Sequence, residues 1–501
     1  MNFLDQKSAK TLRLLFVGLA FLVAVLHNLL TWHIPLGPGF AVSVLAYLGG
    51  FIFLMSVTHR IRQRLAFFLL VPIGILTVDV VIYNNVLVHY FLPLIICGLL
   101  FVFSALLTLQ NPNRLRLAFL QLPIVRRLPQ VIRHWLTIWH DLTQWKFGNG
   151  VPGTIRQVGM GILMAIPFLF LFGFLFSRAD AIFSQTITNF LHISIPEEIV
   201  ARLIQITFLT LCLGGFFYIL IDAAYVLHYV EKKFPKPNQI IFSVFLGLLN
   251  GLFLLFVLIQ IRYLFGAAPF VLEHGMTFAT YARSGFFELV WVMILASVLQ
   301  LVIYRAHHEH QTSSVVTLLQ VVLLIQVGVV AVSALRRMHV YQDAYGFTVL
   351  RLYVEWFIYF SLAMLFLAMV CIFSRWSAYR LVAMLMIFSL VSFTIVASVN
   401  VERRIARKNI TRYLEQRDVK KFDIYYLTSL SADAMDSLRI LMQPNIYTGL
   451  STNILVGLQQ YWEGLRHEQD TRIKHWQSWN FYLSTCRNTN SSTVFSPSLS
   501  C

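Results

Sequence analysis

Long apolar runs separated by short polar segments dominate the chain. A membrane-spanning helix needs about 20 mostly apolar residues, because unpaired backbone groups in hydrocarbon are costly. Eleven runs meet this requirement. The pattern therefore predicts an all-α fold, a polytopic transmembrane helical bundle. The predicted spans are Leu14–Thr31, Gly39–Val57, Leu65–Tyr83, His89–Leu109, Val158–Ser177, Leu203–Leu227, Ile240–Ile261, Phe286–Tyr304, Val315–Leu335, Leu352–Phe373 and Leu381–Val399.

The composition excludes a water-soluble protein. Hydrophobic residues make up 58% of the 501 residues and charged residues only 12%. There are 43 Phe residues against 22 acidic residues, so the apolar side chains could not all be buried in one soluble core. Lipid is the expected solvent for most of the chain.

The basic residues predict the orientation of the spans. Lys and Arg are enriched in cytoplasmic loops, where they face anionic lipids. Loops on the side of the N-terminus carry 19 of them, and the opposite loops carry seven. The N-terminus is therefore predicted to be cytoplasmic and, with eleven spans, the C-terminus extracytoplasmic. However, Arg403, Arg404, Arg407 and Lys408 directly follow the last span and favour the cytoplasmic side for the tail.

Outside the spans, two segments are polar enough to meet water. Within the transmembrane domain, predicted over residues 1–399, residues 113–147 have Trp and Leu at helical spacing and predict an amphipathic helix in the membrane interface. Residues 400–486 predict a small helical domain, and the Asn- and Ser-rich residues 487–501 predict disorder. Such a helical domain is typical of docking, so a protein partner is possible there.

Two amphipathic helices are predicted in this tail domain. Ala406, Ile410 and Tyr413 recur at helical spacing and predict the first helix. Ser431 is placed to cap a second helix, which ends before Pro444.

No motif indicates a cofactor, a metal or a nucleic acid. The sequence contains no Walker loop, no GxGxxG, no GxSxG, no HExxH and no paired CxxC. Cys97, Cys212 and Cys371 lie in apolar spans and are interpreted as packing residues, while Cys486 and Cys501 could pair if the tail is extracytoplasmic. The residues around His308 lack the spaced second pair of ligands that a metal site needs.

Charged residues within spans are the strongest candidates for function, because their burial in lipid is costly. Glu288 and Glu355 each lie about one turn inside a span. Arg351 and Glu355 are four residues apart, so an ion pair on one helical face is the simplest interpretation of both.

The order of the last four spans brings their charged ends to one face of the membrane, whichever side that is. Gly346 predicts a turn between the ninth and tenth spans, and Arg and Tyr side chains around it are suited to anions and rings. The candidates for a substrate or ion pathway are Arg283, Glu288, Arg337, Tyr341, Asp343, Tyr345, Arg351 and Glu355.

Four motifs in the second half of the chain, from about residue 240 to 441, resemble a known family. They are YARSGFFEL ending at Leu289, RMHVYQDAYGFTVLR ending at Arg351, the run Asn400–Arg412 and the run Tyr426–Ala434. Together they resemble the uncharacterised bacterial membrane family catalogued as domain of unknown function 4173. The resemblance implies a multi-span protein of the bacterial inner membrane, with no established activity. The chain departs from the family pattern at Val401–Glu402, where a Pro-Asp-like pair is expected. Within the tail, the candidate functional residues are Asn400, Asn409, Arg412 and Asp433.

Three functions are compatible with these features. The first is a permease-like transporter for an anionic or amphiphilic solute of the cell envelope, with arginines as anion contacts. The second is a non-catalytic envelope sensor or assembly factor that acts through its tail. The third is an enzyme on lipid-linked substrates, for which Asp343 or Glu288 would be the base.

Overall fold

A computed structural model describes residues 3–108, 135, 197–221, 239–265, 286–308, 314–374, 376–416, 422–443, 446, 450–472 and 474–486. Every regular element in these ranges is helical. The prediction of an all-α transmembrane bundle is therefore confirmed.

Ten long helices carry most of the apolar residues. Among the described residues, seven of them contain a stretch that is long and apolar enough to cross a membrane. Helices α3 and α4 reach that length together with the helical turns Arg64–Leu69 and Leu87–Phe91 that precede them, and α7 contains the shorter apolar stretch Leu289–Tyr304. The ten are α1 (Phe3–Thr31), α2 (Pro38–Val57), α3 (Leu70–Ile82), α4 (Leu92–Thr108), α5 (Glu197–Ile221), α6 (Gln239–Phe265), α7 (Phe286–His308), α8 (Ser314–Tyr345), α9 (Val349–Phe373) and α10 (Ala378–Ala397).

Three of the predicted segments fall outside the described residues. They are the span Val158–Ser177, the interfacial helix over 113–147 apart from Trp135, and the disordered end over 487–501. The predicted boundary after Val399 stays a prediction.

Large apolar side chains cover the outside of the long helices. Leu22 is 65% exposed, Leu248 is 74% exposed and Phe366 is 63% exposed. Water would oppose such exposure, whereas lipid chains pack against it at no cost. The exposed surface agrees with the integral membrane protein that the apolar helices indicate.

The chain divides into two compact units, and the first contains α1 to α5 with residues 472–480. Its centre is aromatic: the ring of Phe217 lies 5.8 Å from that of Phe16 and 5.3 Å from that of Phe51. Asn28 Nδ2 donates a hydrogen bond to Gln205 Oε1 at 2.7 Å, which links α1 to α5. Rings and buried amides thus join helices that are distant in sequence.

Residues 472–480 of the first unit pack on helix ends. Arg472 Nη1 donates to the carbonyl of Leu36, in the segment between α1 and α2, at 3.4 Å. A Cβ on Gly37 would lie 2.7 Å from the carbonyl oxygen of Gln477, so only glycine permits this approach. Asn480 Nδ2 donates to the Val81 carbonyl at 3.3 Å.

The second unit contains α6 to α10, most of the tail and the short segment 83–89. Helix α8 lies at its centre and packs against α6, α7 and α9. Leu323, Val327 and Ala331 on α8 are fully buried at helical spacing. Helix α9 begins at Val349 because Thr348 accepts a hydrogen bond from the backbone N–H of Arg351, as an N-cap does.

The tail of the second unit is a set of short helices. They are α11 (Val401–Gln416), α12 (Ile424–Thr428), α13 (Met435–Leu438), α14 (Thr452–Arg472) and α15 (Phe481–Cys486). Ala406, Ile410 and Tyr413 form the buried face of α11, as their spacing predicts. Ser431 Oγ accepts the backbone N–H of Asp433 and caps a 3-10 turn that leads into α13, so the predicted cap is confirmed.

Candidate functional site

A sharp turn joins α8 to α9 at Gly346. Its φ of +78° lies in the left-handed region, which side chains other than glycine rarely adopt. A Cβ at this position would also lie 2.8 Å from Asn409 Oδ1. The turn predicted at Gly346 is confirmed, and glycine is required there for both reasons.

Asn409 of α11 holds the residue after this turn by two hydrogen bonds. The backbone N–H of Phe347 donates to Asn409 Oδ1 at 2.9 Å, and Asn409 Nδ2 donates to the Phe347 carbonyl at 2.8 Å. The backbone N–H of Val349 donates to the Tyr426 hydroxyl at 2.7 Å. The tail thus pairs the backbone groups of the linker between two membrane helices.

Arg351 binds the end of α8 instead of Glu355. Its Nη1 donates to the carbonyls of Tyr345 at 3.2 Å and Gly346 at 2.6 Å, and its guanidinium carbon lies 4.0 Å from the centre of the Tyr341 ring. The predicted Arg351–Glu355 ion pair is therefore wrong. The last carbonyls of a helix have no partner within the helix, and this arginine satisfies them.

Glu355 is held by α8. Gln342 Nε2 donates to Glu355 Oε2 at 2.8 Å, and His339 Nε2 lies 3.3 Å from Glu355 Oε1. The side chain of Glu355 is only 16% exposed. The carboxylate thus joins α9 to α8 through polar neighbours.

Arg412 of α11 also binds the end of α8. Its guanidinium donates to the carbonyl of Gln342 at 3.0 Å and to the carbonyl of Asp343. The side chain of Asp343 itself is exposed. A pocket of about 110 Å³ lies beside this contact, lined among others by Tyr345, Arg351, Asn409, Arg412, Asp423 and Tyr426.

A second cluster surrounds Asp433, which is completely buried. Its Oδ1 accepts the backbone N–H of Asn84 at 2.7 Å, and its Oδ2 accepts Asn85 Nδ2 at 2.8 Å. Asn400 Nδ2 donates to the Asp433 carbonyl at 2.9 Å. The tail motif thus reaches the segment between α3 and α4.

Glu402, 6% exposed, is a second buried carboxylate of this cluster. Its Oε2 accepts the backbone N–H of Ser431 at 2.7 Å and the Ser431 hydroxyl at 2.6 Å. Burial raises the pKa of Glu402 despite these bonds, and burial raises the pKa of Asp433 to about 7. Among the residues that the structure describes, no Lys or Arg forms an ion pair with either carboxylate.

The predicted site residues thus separate into groups. Tyr341, Tyr345, Arg351, Asn409 and Arg412 meet at the linker. Asn400 and Asp433 meet in the acidic cluster, while Arg337 is half-buried on α8. Arg283 lies outside the described residues, and only the backbone of Glu288 is described, in α7.

Sequence analysis missed the partners of Asp433 and the role of Glu402. Asn84 and Asn85 are almost 350 positions from Asp433 in sequence, and their polar pair at a span end is the only local signal. Glu402 stands out in the sequence only as a departure from the expected family pattern.

A layer of amide side chains inside the membrane helices was missed as well. Asn250 of α6, Gln300 of α7, and Gln320 and Gln326 of α8 are each at most 7% exposed. Asn250 Nδ2 donates to the Leu319 carbonyl at 3.1 Å, Gln326 Nε2 to the Asn250 carbonyl at 3.2 Å, and Gln300 Nε2 to the Gln320 carbonyl at 3.0 Å. We call these four residues the amide layer.

One polar atom of each amide in this layer has no hydrogen-bond partner in the described part of the chain. They are Asn250 Oδ1, Gln300 Oε1, Gln320 Nε2 and Gln326 Oε1. A buried polar group left without a hydrogen bond costs about 1–3 kcal/mol. Single amides interrupt hydropathy too little to attract notice in the sequence, so only the structure brings the four together.

Comparison with known families gives a match over most of the chain. The model of a domain of unknown function, DUF4153, matches residues 65–441. No curated protein and no solved structure matches the chain. The match includes the Asn84–Asn85 segment, the linker at Gly346, and the tail as far as Leu441. It corrects the family suggested by the motifs, since the uncharacterised family is this one and not domain of unknown function 4173. The chain, whose apolar helices indicate an integral membrane protein, belongs to the family of the domain of unknown function DUF4153.

Proposed function

We propose that the protein is a permease-like protein for an anionic or amphiphilic solute of the cell envelope, and that the amide layer forms part of its pathway. The observation that carries this proposal is the set of four polar atoms on α6, α7 and α8 that have no hydrogen-bond partner among the described residues. Gln326 lies twelve residues after Ser314, which is about 18 Å along the axis of α8. At that depth a polar group needs a partner, and a hydrated pathway supplies one.

Structural amides between membrane helices offer the contrasting explanation. Asn and Gln commonly join such helices by hydrogen bonds. In that role they would use their donors and acceptors on each other or on backbone groups. The amide layer uses four donor contacts in this way, to the carbonyls of Leu246, Leu319, Gln320 and Asn250. A role in holding the helices together does not explain the four polar atoms that have no partner in the described part of the chain.

The role of the arginines in the pathway differs from the first expectation. Arg351 and Arg412 donate to backbone carbonyls at the end of α8, so they are less suited to act as anion contacts. The enzyme hypothesis gains no support from Asp343, whose carboxylate is exposed.

We propose further that the tail lies on the side opposite the N-terminus. The segment between α1 and α2 follows one span and the segment between α3 and α4 follows three, so both lie opposite the N-terminus. In the second unit Asp433 binds Asn84 and Asn85 between α3 and α4. In the first unit Arg472 binds the carbonyl of Leu36 between α1 and α2. Each contact separately supports the same side, whatever the number of spans between 109 and 196.

The positive-inside rule then makes the tail extracytoplasmic, in an inner or plasma membrane. The basic residues after the last span favour the other side, but the tertiary contacts of the tail support the extracytoplasmic side independently of its charge. A tail on this side is accessible to solutes and partners of the cell envelope.

The permease proposal is tested by measuring water access to the amide layer. In a version without native cysteines, Gln326→Cys and Gln320→Cys are made in the full chain and treated in membrane vesicles with a small anionic methanethiosulfonate. The matched control is Leu324→Cys, since Leu324 lies on the same helix between the two glutamines and is 4% exposed. We expect modification of a glutamine position to be at least about tenfold faster than that of the control, because thiolates react in water. Equal and slow modification of all three would contradict a hydrated pathway.

A second candidate function is a sensor or assembly factor acting through the tail. The bonds from Asn409, Arg412 and Tyr426 to the linker favour it, because they would transmit a change in the tail to α8 and α9. A truncation after Val399 that keeps full function in cells would exclude this candidate, whereas the accessibility experiment would still decide the permease proposal.

A further inference from the structure

Helix α11 presents a basic face to solvent. Arg404, Arg407, Lys408 and Thr411 are exposed and recur three or four residues apart, so they lie on one side of the helix. The opposite side, with Ile405 and Ala406, is fully buried. The helix is therefore fixed by its apolar side, and its cationic side is free to bind a partner.

Several basic residues of the tail already have partners. Arg403 Nη1 lies 3.5 Å from Asp436 Oδ2, and Arg412 donates to the end of α8. Arg404 and Arg407 have no carboxylate within ion-pair distance in the described part of the chain. Lys408 Nζ lies 4.5 Å from the centre of the Phe347 ring. Two guanidinium groups and one ammonium group thus remain for an anion.

These groups line an open groove of about 520 Å³ between α11 and the linker. Phe347 forms one wall, and Arg404, Arg407, Lys408 and Thr411 form the other. Among the described residues, Glu415 is the one acidic residue that lines it. A groove with several cations, a hydroxyl and an aromatic ring is complementary to a phosphate group with apolar substituents.

The groove is close to the membrane through both of its walls. Helix α11 begins at Val401, directly after α10 ends at Ala397, and Arg404 lies within the first turn of α11. Phe347 lies two residues before α9 begins at Val349. The headgroup region extends several ångströms beyond the hydrocarbon core on each side. Side chains this near to two helix ends are expected to lie at the level of the lipid phosphates.

We propose that this groove binds the phosphate headgroup of an anionic phospholipid in the leaflet on the side of the tail. Arg404 and Arg407 donate hydrogen bonds to the phosphate oxygens, Lys408 adds charge, and Phe347 packs against the glycerol and the start of an acyl chain. This site does not depend on the permease proposal, because it uses none of the amide layer. A soluble phosphate ester is the alternative ligand of the same chemistry, and the experiment separates the two.

The experiment measures the thermal midpoint of the full-length protein in a neutral detergent. The added probes are dihexanoyl phosphatidylglycerol, dihexanoyl phosphatidylcholine and glycerol 3-phosphate. The test variant is Arg404→Gln with Arg407→Gln, and Arg407→Gln alone serves if the double variant does not fold. Arg466→Gln is the matched control, since Arg466 is an exposed arginine of α14 outside the groove.

We expect phosphatidylglycerol to raise the midpoint of the wild type and of Arg466→Gln with the same concentration dependence. The double variant should need roughly tenfold more of this lipid, since two charge-assisted hydrogen bonds are lost. Added salt should weaken the effect. An equal response of all variants, or an equal response to phosphatidylcholine, would overturn the site. An equal or stronger response to glycerol 3-phosphate would overturn the assignment to a lipid.

Discussion

At the residue scale, the most unusual chemistry is that of the two buried carboxylates of the tail. Asp433 and Glu402 are bound by amides, backbone N–H groups and a hydroxyl. Hydrogen bonds alone do not offset the burial of a full charge, and the nearby Glu402 carboxylate raises the pKa of Asp433 further. The protonated form of Asp433 is therefore stabilised up to a pH of about 7.

This burial predicts how stability depends on pH. The pKa of Asp433 is about 7 in the folded protein and 3.8 when unperturbed, so the folded protein holds this proton more tightly. The thermal midpoint should fall as the pH rises from 4 to 7 and should level off above that value. Asp433→Asn should reduce this slope, and the raised pKa of Glu402 should leave a residual slope of the same sign. Midpoints at several pH values check the prediction, and an unchanged slope in the variant would contradict it.

Gly346 permits a sharper test of local conformation. Gly346→Ala should lower the free energy of unfolding by about 1–2 kcal/mol, because φ is +78° and a Cβ would meet Asn409. Gly464 lies on α14, and a Cβ added there would have nothing within 4 Å, so Gly464→Ala should be neutral or slightly stabilising. Denaturation of both variants tests the pair, and equal effects would argue against the turn described here.

Replacing an amide of this layer is expected to have opposite effects on the stability of the protein and on its function. Gln326→Leu removes an unpaired polar atom, so it should leave the thermal midpoint unchanged or raise it by a few degrees. It should nevertheless impair the function of the protein in cells at normal protein abundance. A marked fall in the midpoint would show that Gln326 mainly joins α8 to α6.

At the scale of elements, the linker between α8 and α9 owes its conformation to α11. Asn409, Arg412 and Tyr426 bind backbone groups at the end of α8, at Phe347 and at the start of α9. An exposed turn becomes a defined structure in this way. The tail is therefore a structural part of the membrane bundle's surface.

Asn409→Ala should loosen this contact. It removes both hydrogen bonds to Phe347 and should cost about 1–3 kcal/mol. Amide hydrogen exchange should then become faster in α11 and in the linker while α6 stays protected. Thr411→Ala, at an exposed position of α11, is the control and should leave exchange unchanged.

Sequence periodicity predicted these elements better than their contacts. The buried face of α11 and the cap at Ser431 followed from local spacing, because both depend on neighbouring residues. The predicted ion pair between Arg351 and Glu355 was wrong because spacing by four residues considers the contacts within one helix only. In the structure, the carbonyls of Tyr345 and Gly346 bind the arginine, and the Gln342 amide of α8 donates to the glutamate. The binding of Asp433 by Asn84 was beyond prediction, since no local pattern relates positions so distant in sequence.

At the scale of the whole molecule, the account depends on which side of the membrane the tail occupies. The contacts of Asp433 with Asn84 and of Arg472 with Leu36 each join the tail to a segment that we propose to lie opposite the N-terminus. An extracytoplasmic tail would present the basic groove and the linker to envelope solutes and lipids. A cytoplasmic tail would be incompatible with both contacts as long as α1 to α4 cross the membrane.

The most direct test is the side of the tail in intact cells. With the five native cysteines replaced, Glu463→Cys reports on the tail and His59→Cys on the segment between α2 and α3, since both positions are exposed. Intact spheroplasts are treated with a membrane-impermeant maleimide. We expect Glu463→Cys to be labelled at once and His59→Cys only after the membrane is opened. Labelling of His59→Cys alone, or of neither variant before opening, would contradict an extracytoplasmic tail docked on the outer segments of the bundle.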